Sequence, residues 1–149
     1  MYDSLLVATD GSDAATTATH HAVSLATELD AAVYGLAVLE SRTEYDNAIV
    51  DPDERERKRR AAAESALAEL ADEATAAGVP VETEIRSGVP HEEILAVATE
   101  HDVGAVVIGA RGSSKLKRAL LGSTVDAVVR FADRPVLVVE DDAEPVRSN

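Results

Sequence analysis

Short apolar runs and longer amphipathic stretches succeed one another along this chain. SLLVATD, residues 4–10, is too compact for a helix and ends in turn residues, which predicts a first strand. A helix follows: Ser12 suits its N-cap, Asp13 its first turn, and Ala18, Ala22, Leu25 and Leu29 fall on one face. Residues 31–40 form a second apolar run, and the polar stretch 41–50 has no period and reads as a loop. Residues 51–78 predict a long helix, with Asp51 as cap, Pro52 in the first helical position, Glu54 completing a capping box and Gly78 as the stop. Its buried stripe is Ala63, Ala66, Leu67, Leu70 and Ala74.

The next run, VPVETEIRSG, alternates apolar and polar residues, as a half-exposed edge strand does. A third helix begins at Pro90 and turns Ile94, Val97 and Ala98 inward. Residues 103–109 are an apolar strand, STVDAVVRFAD is a fourth helix with Val125, Val128 and Val129 on one side, and residues 134–140 are a last strand. Strands that alternate with helices in this way imply a single α/β domain over residues 1–140. Its sheet is parallel, helices cover both faces and the crossovers are right-handed. The last nine residues read as a disordered acidic tail.

Composition narrows the function. Cysteine is absent, which removes disulfides, thiolate zinc sites and a cysteine nucleophile. No run approaches the roughly 20 apolar residues of a membrane span, and the N-terminus lacks the pattern of a signal peptide, so a cytoplasmic protein is expected. The net charge of −14 repels nucleic acid and anionic membranes. It serves solubility, or adaptation to a salty cytoplasm where charges are screened over only about 3 Å at 1 M salt.

Against that acidic background, residues 106–124, VVIGARGSSKLKRALLGST, are unusual. In an open parallel sheet the ligand crevice lies beyond the carboxyl ends of the strands, where the strand order reverses. Gly109 and Gly112 are able to take positive φ and bring backbone close to an anion. Gly122, Ser123 and Thr124 begin a helix, where free amides and the helix dipole favour negative charge. Arg111, Lys115, Lys117 and Arg118 add positive potential. In a plain strand-to-helix connection the glycines would be only turn and cap. Two glycine sites, hydroxyls at a helix start and a basic cluster together favour an anion site. Neither G-x-x-x-x-G-K-[ST] nor G-x-G-x-x-G is present.

The spacing G-x2-G-x9-G-[ST], together with ATDGS, GVPHEEI and RPVLVV, resembles the universal stress protein family, from Tyr2 to about Val139. The glycine pattern marks the ATP-binding branch of that family. The resemblance implies strand order 3-2-1-4-5, the fold also found in adenine nucleotide alpha hydrolases. It further implies ATP held between the first and fourth strands, and a homodimer formed through the last strand. Carried over by residue, Asp10 lies near the ribose or a Mg2+ ion, Ala8 and Thr9 line the adenine pocket, and Val38 offers backbone groups to the base. Gly109, Arg111, Gly112, Gly122, Ser123 and Thr124 hold ribose and phosphates. The first strand ends in VATD where many members have proline near the aspartate, which alters the turn and leaves the carboxylate.

Asp10 before Gly-Ser is also a common turn former. His20 and His21 point about 100° apart on a helix and share no metal, so one is expected exposed and the other at the boundary. His91-Glu92-Glu93 is not H-E-x-x-H, and His101 closes the third helix. The basic run Arg55–Arg60 lacks interleaved aromatics and reads as an exposed helix start. The functional expectation is a stress-response dimer that binds ATP and hydrolyses it slowly at most. The alternatives are an adenylyl-transferring or pyrophosphate-releasing enzyme, whose S-G-G-x-D-S loop is missing here, and a scaffold dimer that binds no nucleotide.

Overall fold

The computed structural model describes residues 1–40, 52–111 and 122–140. Among the described residues five strands and four helices alternate: β1 (Ser4–Ala8), α1 (Asp13–Leu29), β2 (Ala32–Glu40), α2 (Pro52–Ala76), β3 (Val81–Gly88), α3 (Pro90–Glu100), β4 (Ala105–Gly109), α4 (Ser123–Phe131) and β5 (Val136–Val139). The sheet order is β3-β2-β1-β4-β5, and every pairing is parallel. The expected loop at 41–50, the Asp51 cap with its capping box, Gly112, the lysines of the basic loop with Arg118, and the acidic tail all lie outside the described residues.

Strand alternation divides the core into two layers. Leu5 and Val7 of β1, with Ala105 and Val107 of β4, face α1 and α2, where Ala18, Ala22, Ala26, Leu70 and Ala74 pack on them. Leu6, Val106 and Ile108 face the opposite way, onto Ile94, Val97 and Ala98 of α3 and Val125 and Val128 of α4. The side chains are small, so the helices lie close to the sheet. At Gly35 a Cβ would stand 2.8 Å from Leu70 Cδ2.

Local signals act as expected at several ends. The Ser12 hydroxyl accepts from the Ala15 amide at 3.2 Å and caps α1. Gly78, at φ +78°, ends α2. His101 caps the C-terminus of α3. β3 is an edge strand.

Other expectations are corrected. β4 and β5 are each shorter than their apolar runs. Leu29 is exposed, because it stands in the last turn of α1, beyond the sheet. Val129 is 47 % exposed: it lies one position past Val128, about 100° around α4, and only Val125 and Val128 reach the sheet. Ala63 and Ala66 are half-buried, so the buried stripe of α2 is Leu67, Leu70 and Ala74. His20 and His21 are both exposed, and His20 Nδ1 lies 2.8 Å from Glu73, joining α1 to α2.

Candidate functional site

β1 and β4 are neighbours, yet the helices that follow them leave to opposite faces, α1 to one and α4 to the other. A cavity of about 310 Å³ opens between their carboxyl ends. It falls within the range of about 300–1,000 Å³ usual for small-molecule sites. Its apolar wall comes from one layer of the fold, the one under α3 and α4: Ala8 of β1, Leu36 and Val38 of β2, Ile94 of α3, Ile108 of β4 and Val125 of α4. Thr9, Asp10, Glu40, Arg111, Ser123 and Thr124 supply its polar groups.

The turn after β1 is held by its own side chains. Thr9 Oγ1 accepts from the Gly11 amide at 3.1 Å, Asp10 Oδ1 accepts from Ser12 at 2.9 Å, and Gly11 takes φ +81°. Asp10 is therefore a turn former and a cavity residue at once. Its carboxylate is oriented by the Ser12 amide while the residue remains exposed on the cavity rim.

The strands supply main-chain groups. The last rung between β1 and β2 is the Thr9 amide to the Leu36 carbonyl, 2.9 Å. β2 continues four residues further, paired on its other edge with β3 as far as Glu40 opposite Gly88. Residues two apart share an edge of a strand, so Val38 carries its N–H and C=O on the Leu36 side, facing the cavity beyond the end of β1. The basic run is exposed except at Arg55 and Arg59, which are half-buried, and Arg59 donates to the Glu40 carbonyl at 2.7 Å and holds the tip of β2.

The glycines act differently from the expectation. Gly109 is an ordinary strand residue opposite Val139, and the described glycines with positive φ are Gly11, Gly78 and Gly88. Its missing side chain serves packing: a Cβ there would lie 2.8 Å from the backbone of Ala14 in α1. Gly122 is the N-cap of α4, and its amide donates to the Ala110 carbonyl at 3.0 Å. The first bond inside α4 runs from Asp126 to Gly122. The amides of Ser123, Thr124 and Val125 thus precede any acceptor within the helix and project from its N-terminus, beside the cavity that these residues line. The positive end of the α4 dipole is directed at the same space.

Arg111 follows β4, lines the cavity and forms an ion pair with Glu140 at 3.3 Å. Among the described residues no three His, Cys, Asp or Glu side chains are grouped to hold a metal, and no described helix is long and apolar enough to cross a membrane. Ala8, Thr9, Asp10, Val38, Gly109, Arg111, Gly122, Ser123 and Thr124 are brought together around the cavity. Sequence reasoning missed Ala15, Leu36, Glu40, Pro90 and Ile108 as lining residues, and took Ile94 and Val125 for core alone.

The fold and this cavity define an open parallel α/β protein with a crevice at its topological switch point. The chain belongs to the universal stress protein family, whose model matches residues 1–140. It is 32 % identical to universal stress protein MJ0531 of Methanocaldococcus jannaschii over 150 aligned positions, covering 94 % of this chain and 83 % of the relative. The solved structure of protein MJ0577 superposes with a TM-score of 0.81 at 31 % identity, over 100 % of this chain and 99 % of the other. A universal stress protein solved in complex with cAMP superposes with a TM-score of 0.73 at 27 % identity, covering 95 % and 99 %.

Proposed function

We propose that this chain binds an adenine nucleotide, ATP with Mg2+, in the crevice between β1 and β4. In this reading it acts as a nucleotide-dependent regulatory dimer in the cytoplasmic stress response and hydrolyses ATP slowly at most. One observation carries the reading: main-chain donors of two kinds meet at one cavity, the edge of β2 at Val38 and the N-terminus of α4. The apolar wall of Leu36, Ile94 and Ile108 suits a flat base, and Val38 suits its polar edge. The α4 amides, the Ser123 and Thr124 hydroxyls and Arg111 suit phosphates. The relative in complex with cAMP supports an adenine nucleotide as the ligand class.

Asp10 is a carboxylate on the cavity wall, and it fits an ion carried in by the phosphates. Mg2+ commonly takes one or two carboxylates, with phosphates and water completing its shell. Bound there, Mg2+ would neutralise phosphate charge, and Asp10, oriented by the Ser12 amide, would hold it. The second copy of the dimer would pair along β5, an edge strand on which Leu137 is 41 % exposed.

The test is equilibrium binding of ATP, AMP and cAMP by calorimetry, each with and without Mg2+, to the wild type and to Asp10→Asn. Asparagine keeps an oxygen for the Ser12 amide and removes the charge. The reading expects ATP to bind, Mg2+ to tighten ATP binding, and Asp10→Asn to abolish that Mg2+ effect. If none of the three nucleotides binds the wild type, the assignment is wrong.

A further inference from the structure

Arg111 lines the cavity together with the first residues of α4, and it is already engaged. The register explains how. Gly109 lies opposite Val139, and the Ala110 amide donates to the Val139 carbonyl at 2.8 Å. Ala110 follows β4 and Glu140 follows β5, so Arg111, one residue further on, emerges beside Glu140. Arg111 Nη2 donates to Glu140 Oε1 at 3.3 Å. The Arg111 side chain is only 12 % exposed, whereas that of Glu140 is 64 % exposed.

The geometry of this pair is that of a weak partner. A strong guanidinium–carboxylate contact is bidentate, at about 2.7–2.9 Å. Here one longer contact is made to a carboxylate that remains largely in water, where such pairs contribute little. The carboxylate is also an anion of the kind the cavity is built to attract. We propose that Glu140 is a specificity-determining residue: its carboxylate competes with ligand phosphate for Arg111. Affinity for phosphorylated ligands is thereby held down, and a phosphate that takes Arg111 releases Glu140, the residue that follows β5. The inference rests on the nucleotide reading of the cavity.

The experiment is a double-mutant cycle on the full chain, with ATP and adenosine as probes. Thermal melts check that each variant is folded. Glu140→Gln is expected to bind ATP about two- to fivefold more tightly than the wild type, the gain that removing an exposed ion pair allows. Its affinity for adenosine, which has no phosphate, is expected to be unchanged. With Arg111→Gln in place, adding Glu140→Gln should no longer tighten ATP binding. Two results overturn the proposal while leaving the nucleotide reading intact. One is an unchanged ATP affinity in Glu140→Gln. The other is an equal gain in the Arg111→Gln background, the sign of a general charge effect. Failure of the wild type to bind either probe overturns the nucleotide reading and this proposal with it.

Discussion

Gly109 lies against Ala14 so closely that the first carbon of a side chain would stand 2.8 Å from the Ala14 carbonyl carbon and oxygen. The end of β4 and the first turn of α1 meet backbone to backbone beside the cavity. Because the neighbour is main chain, it has no rotamer with which to yield. Gly109→Ala is expected to destabilise the fold by about 1–3 kcal/mol, the range for inserting a methyl into a filled site. Urea denaturation measures it. A loss below about 0.5 kcal/mol would mean that α1 shifts freely on the sheet.

Gly35 meets α2 in a comparable way, but its neighbour is a side chain. A Cβ there would lie 2.8 and 3.0 Å from the two Leu70 methyls. Gly35→Ala alone is expected to cost about 1–3 kcal/mol, and Leu70→Ala alone about 2–5 kcal/mol. The double variant should lose less than the sum, since the alanine methyl partly fills the space that leucine vacates. Denaturation of all four proteins gives the coupling energy, and strict additivity would contradict the contact.

Ser123 occupies the first helical position of α4, after Gly122 with ψ 158°, an extended conformation that a following proline accepts. Ser123→Pro removes one amide from the cavity and leaves the helix intact. Its melting temperature should stay close to that of the wild type. ATP affinity should fall about tenfold or more, the worth of a hydrogen bond to a charged group. Ser123→Ala, which removes only the hydroxyl, should lose less. If the two variants bind alike, the amide makes no contact with the ligand.

Arg86 on β3 donates to both oxygens of Glu100 at the end of α3 and to Glu84 at 2.7 Å, tying the edge strand to the helix. The hydrogen bond from Arg86 holds the Glu100 carboxyl below the usual carboxylate range. The hydrogen bonds it donates to Glu100 and Glu84 raise Arg86 further still. With its folded pKa depressed, Glu100 contributes stability that is complete above the unfolded carboxylate pKa. That contribution is lost as pH falls through the lowered folded value. Glu100→Gln should therefore melt slightly below the wild type at neutral pH, and the gap should close in acid. A gap that stays constant with pH would assign the effect to something other than this ionisation.

The proposed dimer predicts that Leu137→Lys, a charge on the edge strand, produces a monomer in sedimentation velocity, with secondary structure retained. A wild type that sediments as a monomer at micromolar concentration would remove the dimer from the reading.

Much of the architecture was legible because it rests on local signals. Ser12, Gly78 and Pro90 mark helix ends through backbone chemistry that involves only their neighbours. The strand order followed from the family resemblance. The site was legible in part. Periodicity reports which face of an element is buried, not what void lies at its end, so Ile94 and Val125 were read as core although they also line the cavity. Gly109 carried the right position for a partly different reason, since the chain does not show that α1 will be pressed against that strand. Glu140 gave no signal at all: its nearness to Arg111 comes from the β4–β5 register, a pairing of residues far apart in the chain. Val129 was misplaced because α4 is short and turns only a narrow stripe to the sheet.

β2 outruns its neighbour β1, and the strip of strand left over is peptide rather than side chain. Every amino acid but proline carries the same donor and acceptor, so position 38 can drift through valine, isoleucine, threonine or alanine without altering what it offers a guest. Recognition lodged there is hidden from any comparison of residue identities and is inherited with the topology itself.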